Sequence, residues 1–261
     1  MNLDRKVPIL FVMVVLIAST QACGFSAPTT PTPTMLPATS TSSPMPTPTA
    51  TERPTRTPRP TNTPNVTVTA IFNNLFSKVQ MFKDEDLIPS TDGEYMILND
   101  FNEKFAQIGW LRYRYFDFEV EHFVFNADIQ WRTAVDTSDT SGCGIVFGVQ
   151  EKGDNNEYYG VVLDKSRIYF TIARSGYYYE LGKTRGTGRL NFGNPAEAEF
   201  TILVYDNRAY VYVDDNFIGE YTLSQDKELR GKFGYGIISG TNKDYGTRCM
   251  ITNARMWDLK P

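Results

Sequence analysis

The feature that most constrains the fold is an alternation of apolar and polar side chains that recurs in short segments from about residue 94 onward. In residues 123–132 the odd-numbered side chains, from Phe123 to Trp131, are all apolar, and most even-numbered ones are polar. Because successive side chains of a strand point to opposite faces, this pattern predicts a strand with one buried face. Similar runs follow at residues 143–150, 157–163, 167–173, 177–181, 198–205, 209–213, 217–223, 234–239 and 248–259.

Polar turn residues separate these runs, for example Asp206 with Asn207, and residues 214–216 and 240–243. About ten short strands with little sign of helix predict an all-β fold, an antiparallel two-sheet sandwich of the jelly-roll type. Residues 94–261 are long enough to bury one substantial core, and no second domain boundary interrupts them.

One amphipathic helix is predicted ahead of this domain, within a helix-and-connector segment of residues 66–93. A helix of about four turns is marginal alone in water, so its apolar stripe needs a partner. We expect it to pack on the β domain; self-association and a membrane surface are the alternatives. The stripe consists of Val68, Ile71, Phe72, Leu75, Phe76, Val79 and Phe82.

The first 65 residues have the composition of an export signal followed by a spacer. Arg5 and Lys6 precede an apolar run shorter than a bilayer span, which predicts a signal peptide in residues 1–22. Residues 20–23, Thr-Gln-Ala-Cys, resemble the lipobox of bacterial lipoproteins, which implies a lipid on Cys23 and an extracellular, membrane-anchored protein. A secreted, unlipidated protein or an uncleaved anchor are the alternatives. Residues 23–65, rich in Thr, Pro and Ser, predict an extended, disordered stalk.

The chain has three cysteines, an odd number for an exported protein. If a lipid occupies Cys23, then Cys143 and Cys249 remain to pair, and both lie in predicted strands. Such a bridge would close a loop of about 100 residues and stabilise the fold by roughly 4 to 5 kcal/mol. Two buried free thiols are the alternative.

The order of several segments in residues 95–259 carries a resemblance. The segments are residues 123–132 with 141–147, residues 157–163 with 167–170, the hairpin 210–219, and residues 234–237 through 251–257. Their order is similar to the concanavalin A-like lectin/glucanase jelly roll in its laminin G-like form, and also to the exported 3-keto-disaccharide hydrolase group. That resemblance implies the same sandwich fold, and a function that is lectin-like, enzymatic or neither.

Glycoside cleavage by this fold would require paired carboxylates. The Glu-x-Asp-x-Glu motif of laminarinase-type members of this fold does not occur in the chain. Two carboxylate pairs, at residues 119 and 121 and at residues 197 and 199, each lie on one strand face, but solvated strand edges explain both more simply. His122 is the single histidine, which excludes a multi-histidine metal site. We therefore expect a non-catalytic module, with a glycoside-acting enzyme as the alternative.

Calcium is a candidate ligand, because lectin-like jelly rolls often hold it. Asp136 with Asp139, or Asp154 with Asn155 and Asn156, could offer oxygen ligands. Turn formation accounts for these residues without a metal, so no cofactor is predicted and calcium remains the alternative.

A glycan site combines an aromatic platform with amide, carboxylate or guanidinium groups. All fifteen tyrosines follow residue 66. If the odd-numbered residues of 123–132 face the core, polar even-numbered ones face outward and could share a surface with aromatic residues of later strands. The predicted ligand-binding residues are Trp110, Asp128, Gln130, Arg132, Gln150, Tyr159, Tyr169 and Tyr178.

Charge narrows the class of partner. Five of the 26 basic residues and two of the 30 acidic residues precede Val66, which leaves a formal net charge of −7 for the rest of the chain. That sign is poorly suited to nucleic acid or to anionic lipid surfaces. The sequence therefore predicts an exported module that binds an extracellular glycan, with a structural or protein-interaction module as a further alternative and no prediction of oligomeric state.

Overall fold

The computed structural model describes residues 66–136, 140–153, 155–165, 167–181 and 192–260. They belong to one compact unit, Pro60–Pro261. The described residues form one helix, α1 (Val66–Asp84), and thirteen strands. The strands are β1 (Gly93–Ile97), β2 (Phe101–Phe105), β3 (Leu111–Val120), β4 (Phe123–Thr133), β5 (Gly142–Gln150), β6 (Glu157–Asp164), β7 (Arg167–Arg174), β8 (Tyr177–Glu180), β9 (Ala196–Tyr205), β10 (Arg208–Val213), β11 (Asn216–Thr222), β12 (Gly231–Ile238) and β13 (Thr247–Leu259).

The strands form two antiparallel sheets. The seven-stranded sheet has the order β1-β13-β4-β9-β10-β11, with β2 also paired to β13. The six-stranded sheet has the order β3-β12-β5-β6-β7-β8. The predicted all-β, antiparallel two-sheet sandwich preceded by a single helix is therefore confirmed for the described residues.

The main core lies between the two sheets. On β4, Phe123, Phe125, Ala127, Ile129 and Trp131 all enter this core, as the alternation predicts. The facing side chains of the six-stranded sheet come from alternate positions of β5, β6, β7 and β12. Contacts between aromatic rings link the two sheets. For example, the ring centroids of Phe123 on β4 and Phe147 on β5 lie 5.6 Å apart.

A disulfide joins Cys143 on β5 to Cys249 on β13, with a Cα–Cα distance of 5.4 Å. Both residues are fully buried in the main core. Because β5 and β13 belong to different sheets, the bond links one layer of the sandwich to the other. The predicted pairing is confirmed.

Helix α1 packs on the outer face of the seven-stranded sheet. Leu75, Val79 and Phe82 are fully buried against outward-facing side chains of β4, β9, β10 and β13. Lys78 is also buried and forms ion pairs with Glu199, at 3.2 Å, and with Asp215. Packing on the β domain, the expected role of the helix, is thus observed.

The alternating pattern does not predict β1, β2 and β3 as individual strands. In β3 the aromatic residues change phase, because Tyr113 and Tyr115 lie on one face and Phe116 and Phe118 on the other. The pairing of β3 with β12 has an irregularity at this point, between the partners of Lys232 and Gly234. A shift of phase inside a strand hides the period of two on which the prediction depends.

The predicted signal peptide, the lipidation of Cys23 and the stalk all lie outside the described residues. Among the described residues, no helix combines the length and apolar character that crossing a membrane requires.

Candidate binding site on the six-stranded sheet

The outer face of the six-stranded sheet carries few projecting side chains at its centre. Cross-strand partners share one face, and one such row runs Tyr113, Gly236, Gly144, Val162, Tyr169 across β3, β12, β5, β6 and β7. The next row contains Gly234 and Gly160. Side chains from the flanking strands occupy the space that these glycines leave. A Cβ atom added at Gly236 would lie 3.3 Å from Leu111, and one at Gly160 would lie 3.4 Å from it.

Four tyrosines meet over this glycine-rich centre, and we call Tyr113, Tyr115, Tyr158 and Tyr178 the tyrosine cluster. The ring centroids of Tyr113 and Tyr115 are 6.1 Å apart, those of Tyr113 and Tyr158 are 4.7 Å apart, and those of Tyr158 and Tyr178 are 6.3 Å apart. Tyr115 and Tyr178 are exposed, Tyr113 is half-buried, and Tyr158 is buried beneath the others. The rings therefore form a continuous path in which Tyr158 supports its neighbours.

The contact between Tyr113 and Tyr158 depends on the glycines. Strands β12 and β5 separate β3 from β6 in the sheet, yet the two ring centroids are only 4.7 Å apart. The two rings therefore lean toward each other across β12 and β5. The glycines of β12 and β5 leave room for these two rings. This explains why the aromatic rings lie over the part of the sheet that is rich in glycine.

Polar groups hold the β3 tyrosines in position. The Tyr115 hydroxyl donates a hydrogen bond to Glu151, with an oxygen–oxygen distance of 2.5 Å, and the Lys232 ammonium binds the same carboxylate at 3.0 Å. Lys232 also lies 4.7 Å from the Tyr115 ring centroid, within cation–π range. The Asn156 amide donates to the Tyr113 hydroxyl at 3.0 Å. The loop between β5 and β6 therefore fixes both side chains.

These contacts also fix the protonation of the site. The hydrogen bond to Glu151 raises the pKa of Tyr115, and the hydrogen bonds from Tyr115 and Lys232 lower the pKa of Glu151. Burial raises the pKa of Tyr113 and of Tyr158 above the ordinary tyrosine value. Around neutral pH these tyrosines are uncharged hydroxyl donors beside an ionised carboxylate.

The structure brings four of the sequence-predicted residues to this sheet face or its border. Tyr178 belongs to the tyrosine cluster, and its hydroxyl accepts a 3.0 Å hydrogen bond from Tyr158. Tyr169 shares the face, with the Arg167 guanidinium 5.5 Å from its ring centroid. Gln150 ends β5 and donates to the backbone carbonyl of Arg230. Trp110, which is 58% exposed, immediately precedes β3.

The other predicted residues do not join this group. Asp128, Gln130 and Arg132 are exposed on the outer face of the seven-stranded sheet, because β4 belongs to that sheet. Tyr159 lies inside the sandwich, fully buried, and its hydroxyl accepts a 3.1 Å hydrogen bond from the Ser224 amide. The expected shared surface is therefore corrected: the chain changes sheet after β4, and Tyr159 has the inward-facing position on β6.

The carboxylate pairs lie in ordinary strand surroundings. Glu119 contacts Arg230 at 3.3 Å, and Glu121 lies 3.8 Å from the His122 ring nitrogen Nε2. Glu197 accepts from Gln130 and Glu199 from Asn126, both across the seven-stranded sheet. None of the four belongs to the tyrosine cluster.

The residues considered as calcium ligands are only partly described. Asp136 accepts a hydrogen bond from Asn194, and Asn156 binds Tyr113 and the Lys152 amide. Asp139 and Asp154 lie outside the described residues. Within the parts of the chain that the structure describes, no group of three His, Cys, Asp or Glu side chains could hold a metal ion.

Sequence analysis missed most of the cluster, although two signals point to it. The spacing of Tyr113 and Tyr115 places both side chains on one strand face. In the pair Tyr158 and Tyr159, the two side chains must point in opposite directions, so one of them faces outward. Glu151 and Lys232 give no such signal, because the loop after β5 and the register of β12 bring them to Tyr115.

Comparison with known proteins finds similarity at the level of structure. No family model matches the chain, and no curated protein sequence matches it. A carbohydrate-binding module of Bacillus subtilis is 13% identical, over 62% of this chain and 94% of the module, with a TM-score of 0.42. Sheep galectin-11 is 10% identical, over 58% of this chain and 98% of the galectin, with a TM-score of 0.37. A β-glucanase of Bacillus licheniformis is 11% identical, over 54% of this chain and 68% of the enzyme, with a TM-score of 0.34.

These are the kinds of protein that the sequence resemblance named. Identity to each of them is low, and this likeness does not identify a function.

Proposed function

We propose that this protein is a non-catalytic carbohydrate-binding module and that the tyrosine cluster is its binding site. The single observation that carries the proposal is the set of exposed tyrosine rings held by hydrogen bonds on an open sheet face. Sugars present apolar C–H faces that pack on aromatic rings and hydroxyl edges that need polar partners. The cluster supplies both.

The hydroxyl groups of the cluster are suited to sugar hydroxyls. Tyr113 accepts from Asn156, and Tyr178 accepts from Tyr158, so each accepts an internal bond with its oxygen and keeps its own proton to donate. A sugar oxygen above the ring can receive that proton. An aromatic face next to an oriented donor is the combination that distinguishes a sugar site from a merely apolar patch.

The carboxylates near the cluster favour binding over catalysis. Glycoside cleavage needs a carboxylic acid whose pKa is raised, so that it can donate a proton. Here the pKa of Glu151 is lowered by Tyr115 and Lys232, and the pKa of Glu157 is lowered by its hydrogen bond with Lys152. Burial raises the pKa of Asp258, but that residue belongs to β13 of the seven-stranded sheet.

We further propose that the module is exported and held at the cell surface through a lipid on Cys23. The sequence of the first 65 residues supports this proposal, because residues 20–23 resemble a lipobox and residues 23–65 have the composition of a spacer.

The test is retention of the purified protein on insoluble and immobilised polysaccharides, neutral and acidic, compared with two single variants. Tyr178→Ala removes an exposed ring of the cluster. Tyr177→Ala removes an even more exposed ring (68% against 47%) from the same strand but on its opposite face, and serves as the matched control.

We expect at least one polysaccharide to retain the wild-type protein and the Tyr177→Ala variant equally but to bind the Tyr178→Ala variant measurably more weakly. Retention on none of them would contradict carbohydrate binding and favour a protein-interaction module. Release of reducing sugar from a retained polysaccharide would contradict the non-catalytic part of the proposal and favour a glycoside-acting enzyme.

A further inference from the structure

The tyrosine cluster extends across the whole six-stranded sheet. Tyr115 is rooted on β3, one edge strand, and Tyr178 on β8, the opposite edge strand. Between them, Tyr113 over buried Tyr158 continues the aromatic path. Successive ring centroids are 6.1, 4.7 and 6.3 Å apart, so the path from Tyr115 to Tyr178 is at most about 17 Å long. A path of this length is still longer than a single sugar ring.

The cluster is also an open surface. At the centre of the sheet, Gly144, Gly160, Gly234 and Gly236 alternate with Val146 and Val162, and Leu111 lies over Gly236 and Gly160. Beside the tyrosines, the centre therefore carries only aliphatic side chains that pack down on the sheet. Three cavities of the described part of the chain border α1, on the other side of the sandwich. A single terminal sugar is normally bound in an enclosing pocket, whereas an open aromatic path suits a chain that continues beyond the site at both ends.

The charges around the cluster are already paired. Lys232 binds Glu151 at 3.0 Å, and Lys152 binds Glu157 at 2.9 Å. Both basic side chains are therefore neutralised by a carboxylate before any ligand arrives. Together with the net charge of −7 beyond residue 65, this disfavours a ligand that carries carboxylate or sulfate groups.

We infer that the ligand is an uncharged oligosaccharide or polysaccharide, bound across the strands through several consecutive sugar rings rather than through one terminal sugar. This inference depends on the proposed function of the tyrosine cluster. It adds the charge class of the ligand, its minimum length and the direction in which it lies. Tyr115 and Tyr178 contact its two ends, and Tyr113 contacts its middle.

The experiment is inhibition of binding by sugar fractions of defined length. Dextran, β-glucan, xylan and mannan are immobilised as neutral polymers, and alginate and polygalacturonate as acidic ones. Partial hydrolysates of each neutral polymer that retains the protein are separated into fractions of one to six sugar residues. The concentration of each fraction that halves binding is then measured.

We expect the six-residue fraction to inhibit at a concentration at least about tenfold lower than the monosaccharide, a difference of about 1.4 kcal/mol. Tyr115→Ala and Tyr178→Ala, which remove opposite ends of the path, should each lower the length at which inhibition stops improving. Tyr179→Ala, an exposed ring on the other face of β8, should leave that length unchanged.

The outcomes separate this inference from the proposed function. Inhibition by the monosaccharide as strong as by the six-residue fraction would overturn the extended ligand and leave carbohydrate binding intact. Retention on alginate or polygalacturonate but on no neutral polymer would overturn the uncharged class alone. Failure of every polymer to retain the protein would overturn both.

Discussion

Reduction of the disulfide gives the sharpest test of how the two sheets are held together. Cys143 and Cys249 are 106 residues apart in sequence, and the bond joins β5 of one sheet to β13 of the other. In the chain-entropy model, a cross-link closing a loop of this length stabilises the folded state by about 4.8 kcal/mol, because it restricts the unfolded chain. Domains are commonly stable by only about 5 to 15 kcal/mol, so this bond contributes a large fraction.

The measurement is urea unfolding of the oxidised protein and of the same protein with dithiothreitol, followed by far-ultraviolet circular dichroism. We expect the free energy of unfolding to fall by about 4 to 5 kcal/mol on reduction. The denaturant dependence, the m-value, should rise, since the reduced unfolded chain exposes more surface. The double variant with Cys143→Ala and Cys249→Ala should lose slightly more, because it also leaves space in the fully buried core.

The comparison refutes the reasoning if reduction lowers the free energy of unfolding by less than about 1 kcal/mol while both thiols are shown to be free. The sandwich would then owe its stability to packing between the sheets, and the restriction of the unfolded chain would contribute little. A fall of the expected size with an unchanged m-value would locate the effect in the folded state instead.

Three further predictions concern a buried amine, the helix and metal ions. Burial lowers the pKa of Lys227 to about 8, so above pH 8 the unfolded chain binds more protons than the folded protein does. In urea titrations, the free energy of unfolding of the wild-type protein should therefore rise relative to that of Lys227→Met, by about 2 kcal/mol from pH 8 to 9.5. A constant difference between the two proteins would contradict this. Phe82→Ala, which empties a fully buried position under α1, should cost about 3 to 5 kcal/mol in the same assay, whereas Gln80→Ala should cost less than about 0.5; equal effects would refute the packing of α1. Dialysis against EDTA should leave the midpoint of thermal unfolding unchanged, because the Asp136 carboxylate accepts a hydrogen bond from Asn194. A higher midpoint on adding Ca²⁺ would contradict this.

The sequence predicts the fold well where a single strong pattern decides the structure. The alternation in residues 123–132 identifies β4 and its buried face, since burial of one strand face requires that period. The helical spacing of Leu75, Val79 and Phe82 identifies α1 and the need for a partner surface. The cysteine count indicates the pairing of Cys143 with Cys249. Each of these signals is local or depends on counting alone.

The candidate site was harder to predict because it depends on which strands share a sheet. Alternation shows that Asp128 and Tyr169 both face away from the core, but it does not show that they lie on opposite sides of the sandwich. The contact of Tyr113 with Tyr158 joins residues 45 positions apart in sequence and requires β12, from near the end of the chain, to lie between β3 and β5. No local pattern carries that information.

The two outer faces of the sandwich differ in whether their apolar surface is covered, and this difference bears on function. On the seven-stranded sheet, α1 covers the apolar part, and the uncovered part carries polar side chains such as Asp128 and Gln130. On the six-stranded sheet, the described residues provide no covering element, yet Tyr115 and Tyr178 stay exposed. A face that needed only to be soluble could carry polar residues, as the other sheet does. Rings that are exposed, hydrogen-bonded and joined across the sheet support the proposed binding of a sugar chain.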